Sequence, residues 1–314
     1  MSDAKKMRIA GYDLARVLAL AVIMVCHYCG VHGGKFAQVW HDLLGELGNA
    51  LFFVLSGCCL GMSHERSGWP GYGAAFLKRR ALRLYKPFAI FIAIYVTLLY
   101  LVGKPPTLTK VALNFAMMPW FAKLEGAGYL WFVTAMFAAY ALAIILSRCP
   151  RSRLSFAVLT VGATGLSLCF WVVNIGQGYF IALMYGFSVG FLWGAGSFSA
   201  PLEMAVAAVC ITLSVFLHGS RNLTPWLSVV AAIAIIGMCR KSTVDFAVVR
   251  WLSGISYEVY LVHSLFVFGT IIPLKTLLGD GWLFVVNYVA CSLICAYALN
   301  KTVAWLDRRM KHGG

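Results

Sequence analysis

Acidic, basic and imidazole side chains gather in three stretches of this chain that lie within apolar runs or directly at their ends. The first, GYDLARVLALAVIMVCHYCG over residues 11–30, carries Asp13, Arg16 and His27 in an otherwise apolar run. Asp13 and Arg16 stand at i, i+3, the spacing of a helical ion pair. Arg16 and His27 are eleven residues apart. On a helix of about 100° per residue that separation returns to within about 20° of the same face, about 16 Å along the axis. An ionisable group inside a span costs ~2.5–3.5 kcal/mol on insertion scales, and such groups usually face a polar interior. Two readings stay open: a polar shaft through lipid, or a clamp at the helix mouth with an interfacial imidazole.

The second stretch, FLKRRALRLYKP over residues 76–87, sets Arg80 and Arg83 at i, i+3 with Lys78, Arg79 and Lys86 around them. Guanidinium forks bind phosphate bidentately, so this pair can form a two-pronged phosphate cradle. The alternative is an anchor that only fixes topology. The third stretch, SGISYEVYLVHSLF over residues 253–266, lines up Ser256, Tyr260 and His263 at i, i+4, i+7, with Tyr257 and Glu258 beside them. A buried imidazole bonded to a neighbouring helix would explain that stripe equally well. Cys26 and Cys29 make a C-x-x-C around His27, which invites a redox or metal reading. No second ligand pair at a matching spacing supports it, and no metal is expected. Most of the ten cysteines (Cys58, Cys59, Cys169, Cys210, Cys239, Cys291 and Cys295 among them) fall inside apolar segments, where they serve as small apolar side chains.

The elements that must position these groups follow from composition. A soluble domain needs about a quarter of its residues charged. Here 12% are charged and 61% hydrophobic, and the mean hydropathy is +0.82. The chain reads as an integral membrane protein. Its apolar segments are too long for barrel strands, so helices must satisfy the backbone. The expected fold class is all-α, a polytopic transmembrane helical bundle. With about 20 residues needed per crossing, about ten spans are predicted, near 10–30, 43–62, 87–103, 129–147, 154–174, 179–198, 202–218, 225–239, 256–273 and 281–304. His263 then falls about two turns into the ninth.

With the N-terminus inside, eighteen Lys and Arg residues fall at cytoplasmic ends and six at the opposite ends. The positive-inside rule therefore predicts both termini in the cytoplasm. The first helix should be retained, because Asp13 and Arg16 interrupt any signal-peptide core. No internal repeat or soluble appendage is visible, so residues 1–314 read as one integral-membrane domain. The net charge of +15 is largely this topology signal, and nucleic acid is not an expected partner. The longest polar segments are 63–86, expected inside, and 104–128, expected outside with Pro105, Pro106 and Pro119 holding it against the membrane face. Ser56-Gly57 in the second span reads as close helix packing rather than as a nucleophile. Trp131 and Tyr140 lie in the fourth, where the aromatics near the outer end read as an interfacial belt.

In order along the chain, YDLARVLALAVIMVCH, FFVLSG, FLKRRALRLYKP, YLWFV and ISYEVYLVHS resemble the acyltransferase-3 family of polytopic membrane acyltransferases, from residue 12 to residue 264. The resemblance is to the short stand-alone members that O-acetylate bacterial surface glycans, without an appended GDSL-type hydrolase domain. It implies a bacterial inner-membrane enzyme that takes an acyl group from cytoplasmic acyl-CoA. Acetyl-CoA is the implied donor, with succinyl or another short chain as the alternative. The implied acceptor is a hydroxyl of a surface or lipid-linked carbohydrate. Arg16 and His27 match the family's first-helix Arg and His, and Arg80 and Arg83 match its R-x-x-R. Two positions depart from the family pattern: Tyr129 precedes Leu-Trp-Phe where a different polar residue is common, and Cys58-Cys59 follow Ser-Gly where a bulky apolar residue is usual.

On this resemblance the expected catalytic residues are His27, Asp13, Arg16 and His263. Arg80, Arg83, Arg79, Lys78 and Tyr257 are expected to hold the donor. His27 would act as general base on the acceptor hydroxyl or briefly accept the acyl group. The pantetheine arm would pass Asp13 and Arg16 to reach it. The rival reading is a secondary transporter relaying protons through Asp13, Arg16, Glu258 and His263. The missing internal repeat and the extramembrane R-x-x-R count against it. A lipid-binding scaffold would explain neither the arginine pair nor the imidazoles.

Overall fold

The computed structural model describes residues 8–33, 35–67, 74–148, 158, 162, 178–196, 224–279 and 281–312. Among the described residues every regular element is a helix, with no strand. The elements are α1 (Ala10–His32), α2 (Lys35–Ser67), α3 (Ala74–Leu101), α4 (Leu108–Phe115), a 3₁₀ turn (Gly128–Leu130) and α5 (Trp131–Leu146). They continue with α6 (Gly178–Gly194), α7 (Thr224–Lys241), α8 (Ala247–Val262), α9 (Ser264–Val267), α10 (Leu274–Leu278) and α11 (Trp282–His312). Among the described residues, five helical segments are long and apolar enough to cross a membrane: Ala10–His32, Ala37–Arg66, Lys78–Leu101, Gly128–Leu146 and Trp282–Met310. The expected spans 154–174 and 202–218 lie outside the described residues.

Three boundaries differ from the sequence expectation. Helix α2 begins at Lys35 rather than near 43, because its polar first turns are helical although not apolar. Helix α3 begins at Ala74, so the R-x-x-R segment and the span after it form one helix with Pro87 inside. Proline removes one N–H and crowds the carbonyl four residues earlier. The surrounding turns of leucine, alanine and arginine, all good helix formers, carry the helix through. The apolar run 256–273 is not one helix. Helix α8 starts nine residues earlier than expected, at Ala247, and stops at Val262, and α9 is a single short piece after His263.

The chain forms two compact units. The first takes Met1–Val22, Glu46–Arg66 and Pro150–Gly254. Within it α2 and α6 meet along facing glycines. A methyl group added at Gly57 would stand 2.1 Å from the Phe187 carbonyl oxygen, and one at Gly61 1.9 Å from that of Phe191. In return, Gly190 and Gly194 would strike the carbonyls of Val54 and Cys58 at 2.2 and 2.1 Å. This is the small-xxx-small seam that lets membrane helices touch backbone to backbone, and it accounts for Gly57 as packing. Trp193 on α6 also lies under the Arg240 guanidinium at 5.8 Å.

The second unit takes Ile23–Gly45, Ser67–Cys149 and Ile255–Gly314. Helix α3 packs there against α4, α5 and α11, burying Phe88, Phe91, Ile92 and Tyr95. The Lys86 ammonium pairs with Asp307 on α11. Segment 104–128 is tied down from both ends: Tyr95 donates its hydroxyl to the Glu125 carbonyl at 2.7 Å, and Lys104 pairs with the Glu125 carboxylate at 2.7 Å. Tyr140 is buried, and Trp131, at the end of the span where the belt is expected, is partly exposed.

Candidate active site

His27 belongs to the second unit, in the last two turns of α1. His263, in the same unit, is the residue at which α8 gives way to α9, and it is fully buried. The two imidazoles meet edge to edge, His27 Nδ1 to His263 Nε2 at 2.6 Å, with ring planes within 7° of parallel. The other nitrogen of His263, Nδ1, lies 2.7 Å from the Tyr260 carbonyl oxygen. A carbonyl only accepts, so that nitrogen carries the proton and Nε2 of the neutral ring bears the lone pair. His27 must then donate from Nδ1. Neutral His27 is left with its own lone pair on Nε2, the nitrogen that faces away from the relay. Both tautomers are assigned from the hydrogen-bond partners.

Aromatic and imidazole rings wall this pair. Tyr129 stands edge-on to both histidines, with centroids at 5.9 Å from His27 and 5.1 Å from His263. Phe268 lies at 5.2 Å and His41 at 6.3 Å from the His27 ring. His41 on α2 donates from Nδ1 to the Cys26 carbonyl at 2.9 Å, and the Cys26 thiol donates back to the His41 carbonyl at 3.2 Å. The His41 ring takes the space beside Gly30, where an added methyl group would stand 2.6 Å from His41 Nδ1. The C-x-x-C thus contributes Cys26 to a tie between α1 and α2. Among the described residues no three His, Cys, Asp or Glu side chains cluster as metal ligands do.

Asp13 and Arg16 belong to the first unit. They form the expected i, i+3 pair, Arg16 Nη1 to Asp13 Oδ1 at 3.4 Å. Ser253 on α8 completes a closed knot. It accepts from Arg16 Nη1 at 2.8 Å and donates to the Asp13 carboxylate. Arg8 pairs with the second Asp13 oxygen and, at 3.1 Å, with Asp245, which also pairs with Arg250 at 3.0 Å. The Arg16 guanidinium reaches Cys59 through Nη2 at 3.9 Å.

The basic segment lies in the early turns of α3, which hold no acidic residue. Lys78, Arg79 and Arg83 are exposed and Arg80 is half-buried. Tyr257 on α8 donates its hydroxyl to the Leu84 carbonyl at 3.2 Å, one residue beyond Arg83. Glu258 accepts from Asn300 on α11 at 2.8 Å. The structure therefore joins His27 to His263, Asp13 to Arg16, and Tyr257 to the basic helix.

Sequence reasoning missed Tyr129, His41, Ser253 and Ser264. Tyr129 and the two serines stood inside motifs already singled out. His41 carried no local signal at all.

The fold and the site together describe a chain with several apolar, membrane-type helices and a hydrogen-bonded pair of imidazoles. The chain matches the acyltransferase domain of the acyltransferase-3 family over residues 9–301 and belongs to that family. No curated protein and no solved structure matches it.

Proposed function

We propose that this protein is an O-acyltransferase that moves an acyl group, acetyl in the simplest case, from acyl-CoA to a hydroxyl of a cell-surface or lipid-linked carbohydrate. The observation that carries the reading is the relay from the Tyr260 carbonyl through His263 to His27, which leaves a lone pair on His27 Nε2. An acceptor hydroxyl gives its proton to that nitrogen as its oxygen attacks the thioester carbonyl. The charge gained by His27 is shared through Nδ1–H with the His263 lone pair. As the carbon–sulfur bond breaks, the thiolate leaves and takes the proton from Nε2, returning His27 to its starting tautomer. A base of this kind contributes about 10²–10⁴ in rate. Histidine, with an ordinary value of about 6.5, is present largely as the neutral base near neutral pH.

The donor is a polyanion, and four cations lie within six residues at the start of α3, three of them exposed. Phosphates suit that segment, because guanidinium forks hold them bidentately. Arg80 and Arg83, with Arg79 and Lys78, are assigned to grip the phosphates, and Tyr257 to hold the helix that bears them. Arg16, fixed by Asp13 and Ser253, keeps N–H donors beyond its three hydrogen bonds for an anionic group of a substrate. Both termini, in this reading, face the cytoplasm of a bacterial inner membrane.

Purified protein in detergent, given acetyl-CoA and a sugar acceptor, is expected to release free thiol. His27→Ala should abolish that release while acetyl-CoA still binds. Turnover retained by this variant would remove the base from the mechanism. Comparing glycan masses from cells with and without the gene would then identify the acceptor by its missing acyl increment.

A further inference from the structure

Helix α8 ends where its apolar sequence gives no reason to end. VYLVHSLFVF contains neither glycine nor proline, and every residue from Val259 to Val267 is buried. What holds the break open comes from elsewhere in the chain. Tyr129, in the 3₁₀ turn ahead of α5, donates its hydroxyl to the Leu261 carbonyl at 2.6 Å and accepts from the Ser264 hydroxyl at 2.6 Å. Its own carbonyl accepts from the Tyr260 hydroxyl at 2.5 Å. Three hydrogen bonds from one residue thus bracket His263 on both sides.

The consequence falls on the imidazole. At the break, the Tyr260 carbonyl accepts from His263 Nδ1. In a continuous α-helix that oxygen would instead be taken by the amide four residues on. The Leu261 carbonyl, next in line, accepts from Tyr129. With the Tyr129 ring centroid also 5.1 Å from that of His263, the same side chain sets both the backbone and one wall of the imidazole. A buried polar group left unpaired is costly, so the tyrosine hydroxyl with its donor and acceptor both used is a strong constraint on this geometry.

We infer that Tyr129 is a positioning residue for the reaction: by holding the α8–α9 break it fixes the plane and tautomer of His263, and through it the lone pair on His27. It need not touch substrate. The inference rests on His27 serving as the base, and the experiment separates the two.

The test is steady-state kinetics of thiol release for Tyr129→Phe, Ser264→Ala and the double variant, beside His27→Ala, each normalised to folded protein by size-exclusion chromatography. Tyr129→Phe keeps the ring and loses the hydroxyl. It is expected to lower kcat about tenfold, the equivalent of roughly one net hydrogen bond, with the KM for acetyl-CoA unchanged. Ser264→Ala should lower kcat less. The double variant should be no worse than Tyr129→Phe, because both substitutions cut the same network. Wild-type kcat in a folded Tyr129→Phe protein overturns the inference, as does a loss in which kcat and KM move together. If Tyr129→Phe does not fold, Ser264→Ala decides: a fall in kcat at constant KM supports the role, and an unchanged kcat overturns it. An active His27→Ala would sink the base itself. An inactive His27→Ala beside a wild-type Tyr129→Phe would sink only the positioning role.

Discussion

At the residue scale the proposed chemistry turns on which nitrogen of each imidazole bears the proton. The order carbonyl, His263, His27 allows one neutral assignment, and that assignment exposes a base rather than a donor at His27 Nε2. In the proposed mechanism His263 contributes by accepting a hydrogen bond that strengthens when His27 becomes charged, since hydrogen bonds to ionised groups are roughly twice as strong as neutral ones. His263→Phe keeps a planar ring in a fully buried site but removes the acceptor. It is expected to lower kcat by about a hundredfold, the low end of what a general base contributes, while acetyl-CoA binding is retained. Equal turnover in the two proteins would return His263 to a packing role. Asp13 and Arg16 differ in kind from this pair. Ser253 and Arg8 close around them, so their first effect is to anchor the start of α1.

At the element scale, the basic start of α3 carries its own strain. Arg79 with Arg83 stands at i, i+4 and Arg80 with Arg83 at i, i+3, and like charges at those spacings destabilise a helix by about 0.2–0.5 kcal/mol each. A bound phosphate relieves that repulsion. The Arg80→Ala, Arg83→Ala double variant is therefore expected to weaken acetyl-CoA binding tenfold or more in direct titration, and to flatten its dependence on salt. An unchanged Kd would refute the phosphate grip. Helices differ in how much of themselves the sequence discloses. Helix α1 was legible to within two residues, because its apolar run and its charges both lie within it. The start of α3 was not, since a polar turn before Pro87 looks like a loop until packing completes it. The break at His263 was hidden for a physical reason: the group that holds it open, Tyr129, is 132 residues away from the carbonyl it bonds. Each histidine was visible in its own motif. Their meeting was not, because helix pairing leaves no period in a linear sequence.

At the scale of the whole molecule, the bias of Lys and Arg toward one set of helix ends predicts that both termini share the cytoplasm. A fluorescent reporter at the C-terminus should therefore glow, and a phosphatase active only outside the cytoplasm should stay silent in the same place. The reverse pattern would overturn that topology and the side from which the donor arrives. The two units interleave along the chain, each assembled from three separate segments, with α1, α2 and α8 contributing to both. Neither can be cut out as a contiguous fragment. The same interleaving sets an order in time. His27 leaves the ribosome 236 residues before the imidazole that receives its hydrogen bond, a lag of roughly 10–50 s at ordinary rates of synthesis. Throughout that interval the nascent protein holds the His27 imidazole without the partner that sets its tautomer, and any product terminated before His263 stays in that state.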